Sequence, residues 1–269
     1  SIELENPAYT HAAAAVESLV RGPVDIADPG GAVASYGTGD DAIGAPDGSV
    51  VSLGDGGCVV LSFGGDMVID NVPGPDIGVY ENGMFQNWPA GAGHSGYFFE
   101  LGFVEVSSDG VHFARFPTKT ANTTAVVGMD TLRPLDYFGF AGNSLGGVSV
   151  NYDLDDLADH PLVADGTVDL ARIRYVKIVD AVGDGSTTDS LGNPVYDPYP
   201  TAFSSGGFDL DAVEAFVTED PTLITLAGLT AEPASGSVTL RWQTESESGN
   251  SGFNLYRAES KSGTYTKIN

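Results

Sequence analysis

Positive charge is scarce in this chain. Eleven Lys and Arg residues stand against 37 Asp and Glu, a formal net charge of -26 over 269 residues. A field of that sign opposes binding to nucleic acid and to anionic lipid surfaces, so neither is expected as a partner. Cysteine is nearly absent as well. The one residue, Cys58 in "CVVLSF", leaves no intrachain disulfide to form and reads as a small buried hydrophobe. No apolar run approaches the length of a membrane-spanning helix, which argues against direct membrane insertion.

Catalytic signatures are missing too. His11, His94, His112 and His160 lie far apart, with no HxH or HExxH spacing, and no serine sits in a GxSxG elbow. Glycoside hydrolysis needs a pair of facing carboxyl groups. Glu100 and Glu105 differ by an odd number within one expected strand, and so do Asp76 and Glu81, so neither pair shares a face. A non-catalytic protein is therefore expected, with a glycan-active enzyme ranked last.

What the chain does contain is punctuation. Thirty-six glycines and 15 prolines separate short apolar runs, the pattern of many short strands joined by turns. Strands are expected over 57–63, 76–82, 96–108, 112–117, 172–181 and 208–217. Helical character is expected only for "AYTHAAAAVESLV" (8–20), where an alanine run precedes Val16, Leu19 and Val20. The fold class that follows is all-β: a jelly-roll-like β-sandwich with a short N-terminal helix over 1–220. Beyond it, 221–269 reads as a linker and new strands, with Val238, Leu240 and Trp242 in alternation and then Phe253 and Leu255.

Two features carry chemistry. "FDLDAVEAFV" places Asp209 and Asp211 in a strand, where a period of two would put both on the face of Val213 and Ala215, opposite Phe208, Leu210 and Ala212, with Cα atoms roughly 6.6 to 6.8 Å apart. Asp180, Asp184 and Asp197 follow in the preceding segment, and Asp76 and Glu81 flank "DIGVYE". Together these seven acids are candidate oxygen ligands for a structural Ca²⁺ ion, although no EF-hand spacing is present; the alternative is a solvated acidic surface. The second feature is "YENGMFQNWPAGAGHSGYFF", which gathers Tyr80, Phe85, Trp88 and Tyr97 around a Gly- and Pro-rich loop. Exposed aromatic faces beside amides hold sugar rings, whereas an Ω-loop would fold the same aromatics back onto the domain. Asn122-Thr123-Thr124 forms a glycosylation sequon.

The succession "GAPDGSVVSLGDGGCVVLSFG", "GPDIGVYENG", "FFELGFVEVSSDGVHFARFP", "RYVKIVDAVGD" and "GNPVYDPYPTAFSSGGFDLDAV" resembles a family of bacterial extracellular cell-surface proteins. That resemblance implies a secreted β-sandwich located outside the cell or at its surface. The closing "GFDLDAVEAF" is similar to the last strand of jelly-roll carbohydrate-binding modules, which implies a calcium-holding role for Asp211. Residues 226 to 269 resemble the opening of a fibronectin type III module. Such a module needs about 100 residues, so the natural chain is expected to continue past Asn269, or else a strand from another copy completes the module as in a fibre. The opening at Ser1 suits a processed, exported protein. The expected function is calcium-stabilised surface adhesion or glycan binding, with polysaccharide as partner. A structural subunit that self-associates into a layer or fibre is the alternative.

Overall fold

The computed structural model describes residues 9–65, 67–86, 96–217, 226–235, 237–244, 256–258, 260 and 266–267. Two compact units divide the chain, Ser1–Thr218 and Glu219–Asn269. The first is an all-β sandwich of two five-stranded sheets. One sheet contains β1 (Tyr9–Ala12), β3 (Val51–Ser52), β5 (Ile77–Glu81), β13 (Val150–Tyr152) and β16 (Asp209–Val217). The long β16 lies at its centre, with β1 and β3 along one edge and β5 along the other. The other sheet runs β2 (Ala15–Val20), β4 (Cys58–Ser62), β14 (Tyr175–Asp180), β8 (Gly102–Ser107), β9 (Ala114–Arg115). Apart from the β8–β9 hairpin, each of these ten strands is followed by one in the opposite sheet. No helix among the described residues is long and apolar enough to cross a membrane.

Alternation decides what each strand buries. Val59 and Leu61 of β4, Val176 and Ile178 of β14 and Val104 and Val106 of β8 all meet Val51, Ile77, Val79 and Leu210 from the facing sheet in one core. All six residues of β8 are buried, because its second face is covered as well. Phe103 lies there with Phe99, Leu101, Leu132, Tyr137, Phe140, Ala181 and Val195 in a separate apolar cluster. Three small pairings accompany this covering layer: the hairpin β6 (Met84–Gln86) with β7 (Gly96–Phe98), β10 (Lys119–Thr120) with β12 (Tyr137–Phe138), and β11 (Val126–Val127) with β15 (Pro198–Tyr199).

The helix expected over 8–20 is not formed. Tyr9–Ala12 pairs antiparallel with β16, and Ala15–Val20 pairs with β4. Between them the chain steps from sheet to sheet, the Ala13 N–H donating to Val213 O and the Ala14 N–H to Ser62 O, each at 2.8 Å. Helix propensity amounts to a few tenths of a kcal/mol per residue and yields to a ladder that satisfies the whole backbone. Alanine is still the right residue, since Ala13 is buried where the two sheets meet.

The strict period of two expected along 208–217 also fails. Leu210 pairs with Glu81 and Ala212 with Tyr80, so two residues advance on β16 for one on β5 and Asp211 is the extra residue of a β-bulge. Phe208, Leu210, Val213 and Ala215 all enter the core, with the parity switching at Asp211. Asp209 and Asp211 thus do not continue the row of Val213 and Ala215.

In the second unit β17 (Leu226–Ala234) pairs with β18 (Ser237–Thr244), and β19 (Tyr256–Arg257) with β20 (Thr266–Lys267). Val238, Leu240 and Trp242 alternate along β18 and are exposed. Phe253 and Leu255 lie outside the described residues.

Candidate functional site

Four of the seven candidate metal acids come from strand ends and converge. Glu81 closes β5, Asp180 closes β14, Asp209 opens β16 and Asp197 precedes β15, and all four are buried. A fifth acid, Glu100, joins them from the segment leading into β8. Loop groups hold each carboxylate. Asp180 accepts the N–H groups of Gly56 at 2.8 Å and Phe208 at 2.7 Å. Glu100 accepts the Thr201 hydroxyl at 3.0 Å and the Gly207 N–H at 3.1 Å. Asp197 accepts the Leu101 N–H at 2.9 Å, Glu81 the Gly83 N–H at 2.6 Å, and Asp209 the Ser52 hydroxyl and the Asn82 amide. Bare backbone forms one wall, because a Cβ at Gly183 would lie 1.7 Å from Asp197 Oδ1.

Burial is the main electrostatic influence on this cluster. It pushes the Asp180 carboxyl up to about 7 and that of Asp209 up to about 6. Glu81, Glu100 and Asp197 are raised well above the carboxylate range, first by burial and then by one another's charge, with Asp209 acting on both glutamates and Asp180 on Asp197. Asp55 next to them is raised by burial, with Asp25 and Asp184 adding repulsion. The ion pairs that Arg115 and Lys177 make with Glu105, and Arg133 with Asp136, lie outside this cluster. The donors are all oxygens, the chemistry a hard cation prefers. Among the described residues no three His, Cys, Asp or Glu side chains are gathered into a group able to hold a metal ion as they stand.

The remaining three acids stand elsewhere. Asp76 accepts the N–H groups of Val72 at 2.9 Å and Leu154 at 2.8 Å, pinning two loops beside β5. Asp184 is exposed and caps Ser186. Asp211 turns to the loop of residues 47–48, accepting the Asp47 N–H at 3.1 Å and the Gly48 N–H at 3.2 Å. A carboxylate in a bulge thereby ties the exposed turn at 47–48 to the sheet.

The aromatic candidates divide as well. Phe85 of β6 and Tyr97 of β7 face each other across the hairpin, edge to face with centroids 5.4 Å apart. They line a cleft of about 750 Å³ whose other walls are Leu132, Pro134 and Leu135, with Asp130, Thr131 and Arg133 at its polar margin. Leu132 N donates to Tyr97 O at 2.7 Å and belongs to the apolar cluster under β8, so the floor of the cleft is tied to the packed interior. Tyr80 is not part of this cleft; its hydroxyl donates to Glu214 at 2.8 Å. Trp88 and His94 lie outside the described residues. Among the other histidines, His112 contacts Asp109 at 2.8 Å and His160 caps Leu162, both local roles.

Glu100, Leu132 and Arg133 were not among the sequence candidates. Glu100 had a signal, since an acid inside "YFFELGF" must be satisfied when its neighbours are buried. Leu132 and Arg133 had none, because they reach the cleft through a loop contact that no local pattern encodes. No family model matches the chain, and no curated protein matches it.

Proposed function

We propose that this chain is a non-catalytic binding module of an extracellular surface, acting in adhesion or glycan binding through the Phe85–Tyr97 cleft. One observation carries the reading: Phe85 is 56% exposed, yet it is set edge to face against Tyr97 in a concave, mostly apolar site with a few polar groups at its margin. The cleft volume lies within the ~300–1,000 Å³ of small-ligand sites. An extracellular location accords with the acidic composition and with the resemblance to secreted surface proteins. The test is electrophoretic retardation in gels containing neutral polysaccharides. Retardation by at least one polymer, lost in Phe85→Ala at unchanged melting temperature, is expected. A wild-type protein that no polymer retards would overturn the reading.

A structural Ca²⁺ ion belongs to the same proposal. Glu81, Glu100, Asp180, Asp197 and Asp209, with the Thr201 hydroxyl, are the oxygens that would hold it, once some carboxylates turn from the loop N–H groups they now accept. The ion would supply the positive charge that lets buried carboxyls ionise. A second reading, a self-associating subunit of a layer or fibre, draws on the exposed Val238–Leu240–Trp242 row of β18. Sedimentation that stays monomeric up to high protein concentration would count against it.

A further inference from the structure

The cleft beside Phe85 has a neighbour. A smaller depression of about 210 Å³ adjoins it, and four consecutive residues, Asp130–Arg133, line both. The two differ in chemistry. The larger one presents Phe85, Tyr97, Pro134 and Leu135, whereas the smaller one is edged by Asn122, Thr124, Asp136 and the Tyr137 ring. At about 210 Å³ it falls below the ~300 Å³ at which a site encloses a whole small ligand. The floor on this side is rigid: Asn122 Nδ2 donates to Tyr137 Oη at 2.8 Å and to Thr124 O at 3.0 Å, and Tyr137 Oη donates to Tyr196 O at 2.7 Å. The shared segment carries Arg133, its side chain 79% exposed, with its Nε 4.0 Å from Asp136 Oδ2.

We infer that the two depressions are adjoining subsites for one neutral glycan chain, which passes over the shared Asp130–Arg133 segment with one ring on the Phe85–Tyr97 face and a following ring beside Thr124 and Asp136. This rests on the glycan reading of the larger cleft and adds the ligand's length and charge. Neutrality follows from the electrostatics. The lining of the smaller depression holds two carboxylates, Asp130 and Asp136, and one guanidinium, Arg133, in a chain of net charge -26, so a uronate- or sulfate-bearing polymer is repelled at long range. Sugar hydroxyls, in contrast, both donate to carboxylates and accept from guanidinium. A chain occupying both subsites gains its second contact at high effective concentration, so affinity should climb with chain length until both are filled.

The experiment is calorimetric titration with neutral oligosaccharides of one to six residues, prepared from the polymer that retards the protein most. Affinity is expected to rise about tenfold between the shortest oligomer that binds and the one that reaches both depressions, then to level off. Thr124→Arg, which puts a long side chain into the small depression, should flatten that rise while leaving the shortest oligomer's affinity unchanged. Asp136→Asn tests the same subsite without adding bulk and should reduce the rise. A length dependence unaltered in both variants overturns the two-subsite inference and leaves the glycan reading standing. Tighter binding of polygalacturonate than of every neutral polymer overturns the neutrality. If no neutral polymer retards the wild type, the glycan reading fails and this inference fails with it.

Discussion

The carboxylate of Asp180 accepts the backbone N–H of Phe208 at 2.7 Å, joining the last residue of β14 in one sheet to the residue that leads into β16 in the other. This one bond brings a buried acid to the mouth of the core, and four more acids gather around it. The consequences for stability can be measured.

In EDTA, stability should fall as pH rises through the window from about 4 to about 7. Asp180 and Asp209 titrate near 7 and 6 in the folded protein against 3.8 as ordinary Asp. Between those values the folded state holds more protons than the unfolded state, so the slope of unfolding free energy with pH is negative. Full stability from these groups is present below pH 4 and is lost once they ionise in the fold. Thermal melts at pH 5 and pH 8 should differ by more than about 2 °C, the shift that roughly 1 kcal/mol produces in a domain of this size. Added Ca²⁺ should close the gap by acting mainly at pH 8. A melting temperature that rises from pH 5 to pH 8 in EDTA would contradict the assignment.

Glu100→Gln keeps an oxygen to accept from Thr201 and Gly207 but removes one charge from the cluster. The expected outcome is a shallower pH dependence, with a melting temperature at pH 8 in EDTA equal to or above that of the wild type. Removing Glu100 should also weaken any response to Ca²⁺. Unchanged pH dependence would place Glu100 outside the coupled group.

Asp211→Ala leaves the N–H groups of Asp47 and Gly48 without their acceptor. A loss of about 0.5–1.5 kcal/mol is expected, the net worth of a partly solvated hydrogen bond, together with faster proteolysis of the 43–50 loop. Because Asp211 is set apart from the five clustered acids, the loss should be the same with and without Ca²⁺. A loss confined to calcium-loaded protein would instead return Asp211 to the ion, as the resemblance to carbohydrate-binding modules implied.

Much of the sandwich is legible in single strands. Expected strands at 57–63, 76–82 and 172–181 correspond to Cys58–Ser62, Ile77–Glu81 and Tyr175–Asp180, because each is a short apolar run between turn residues. The expected strand 96–108 is broken into Gly96–Phe98 and Gly102–Ser107, and Glu100 sits in the break, where its carboxylate reaches loops from elsewhere. What local pattern cannot carry is pairing. Alanines at 12–15 read as helix until β16 and β4 offer them ladders, and the bulge at Asp211 shows only in the register with Glu81 and Tyr80. The acid cluster is hidden for the same reason, since its members are spread from residue 81 to residue 209 and meet only where strands end.

The pairing of β1 with β16 joins residues some two hundred positions apart, Thr10 opposite Phe216 and Ala12 opposite Glu214. The first strand has no partner in its sheet until the final one arrives, so a ribosome-bound chain lacking residues beyond about 200 exposes an open sheet edge. Contact order is correspondingly high, and such topologies close over milliseconds to seconds. Folding of this sandwich is therefore a late event in the life of the chain, completed after synthesis of the domain has ended.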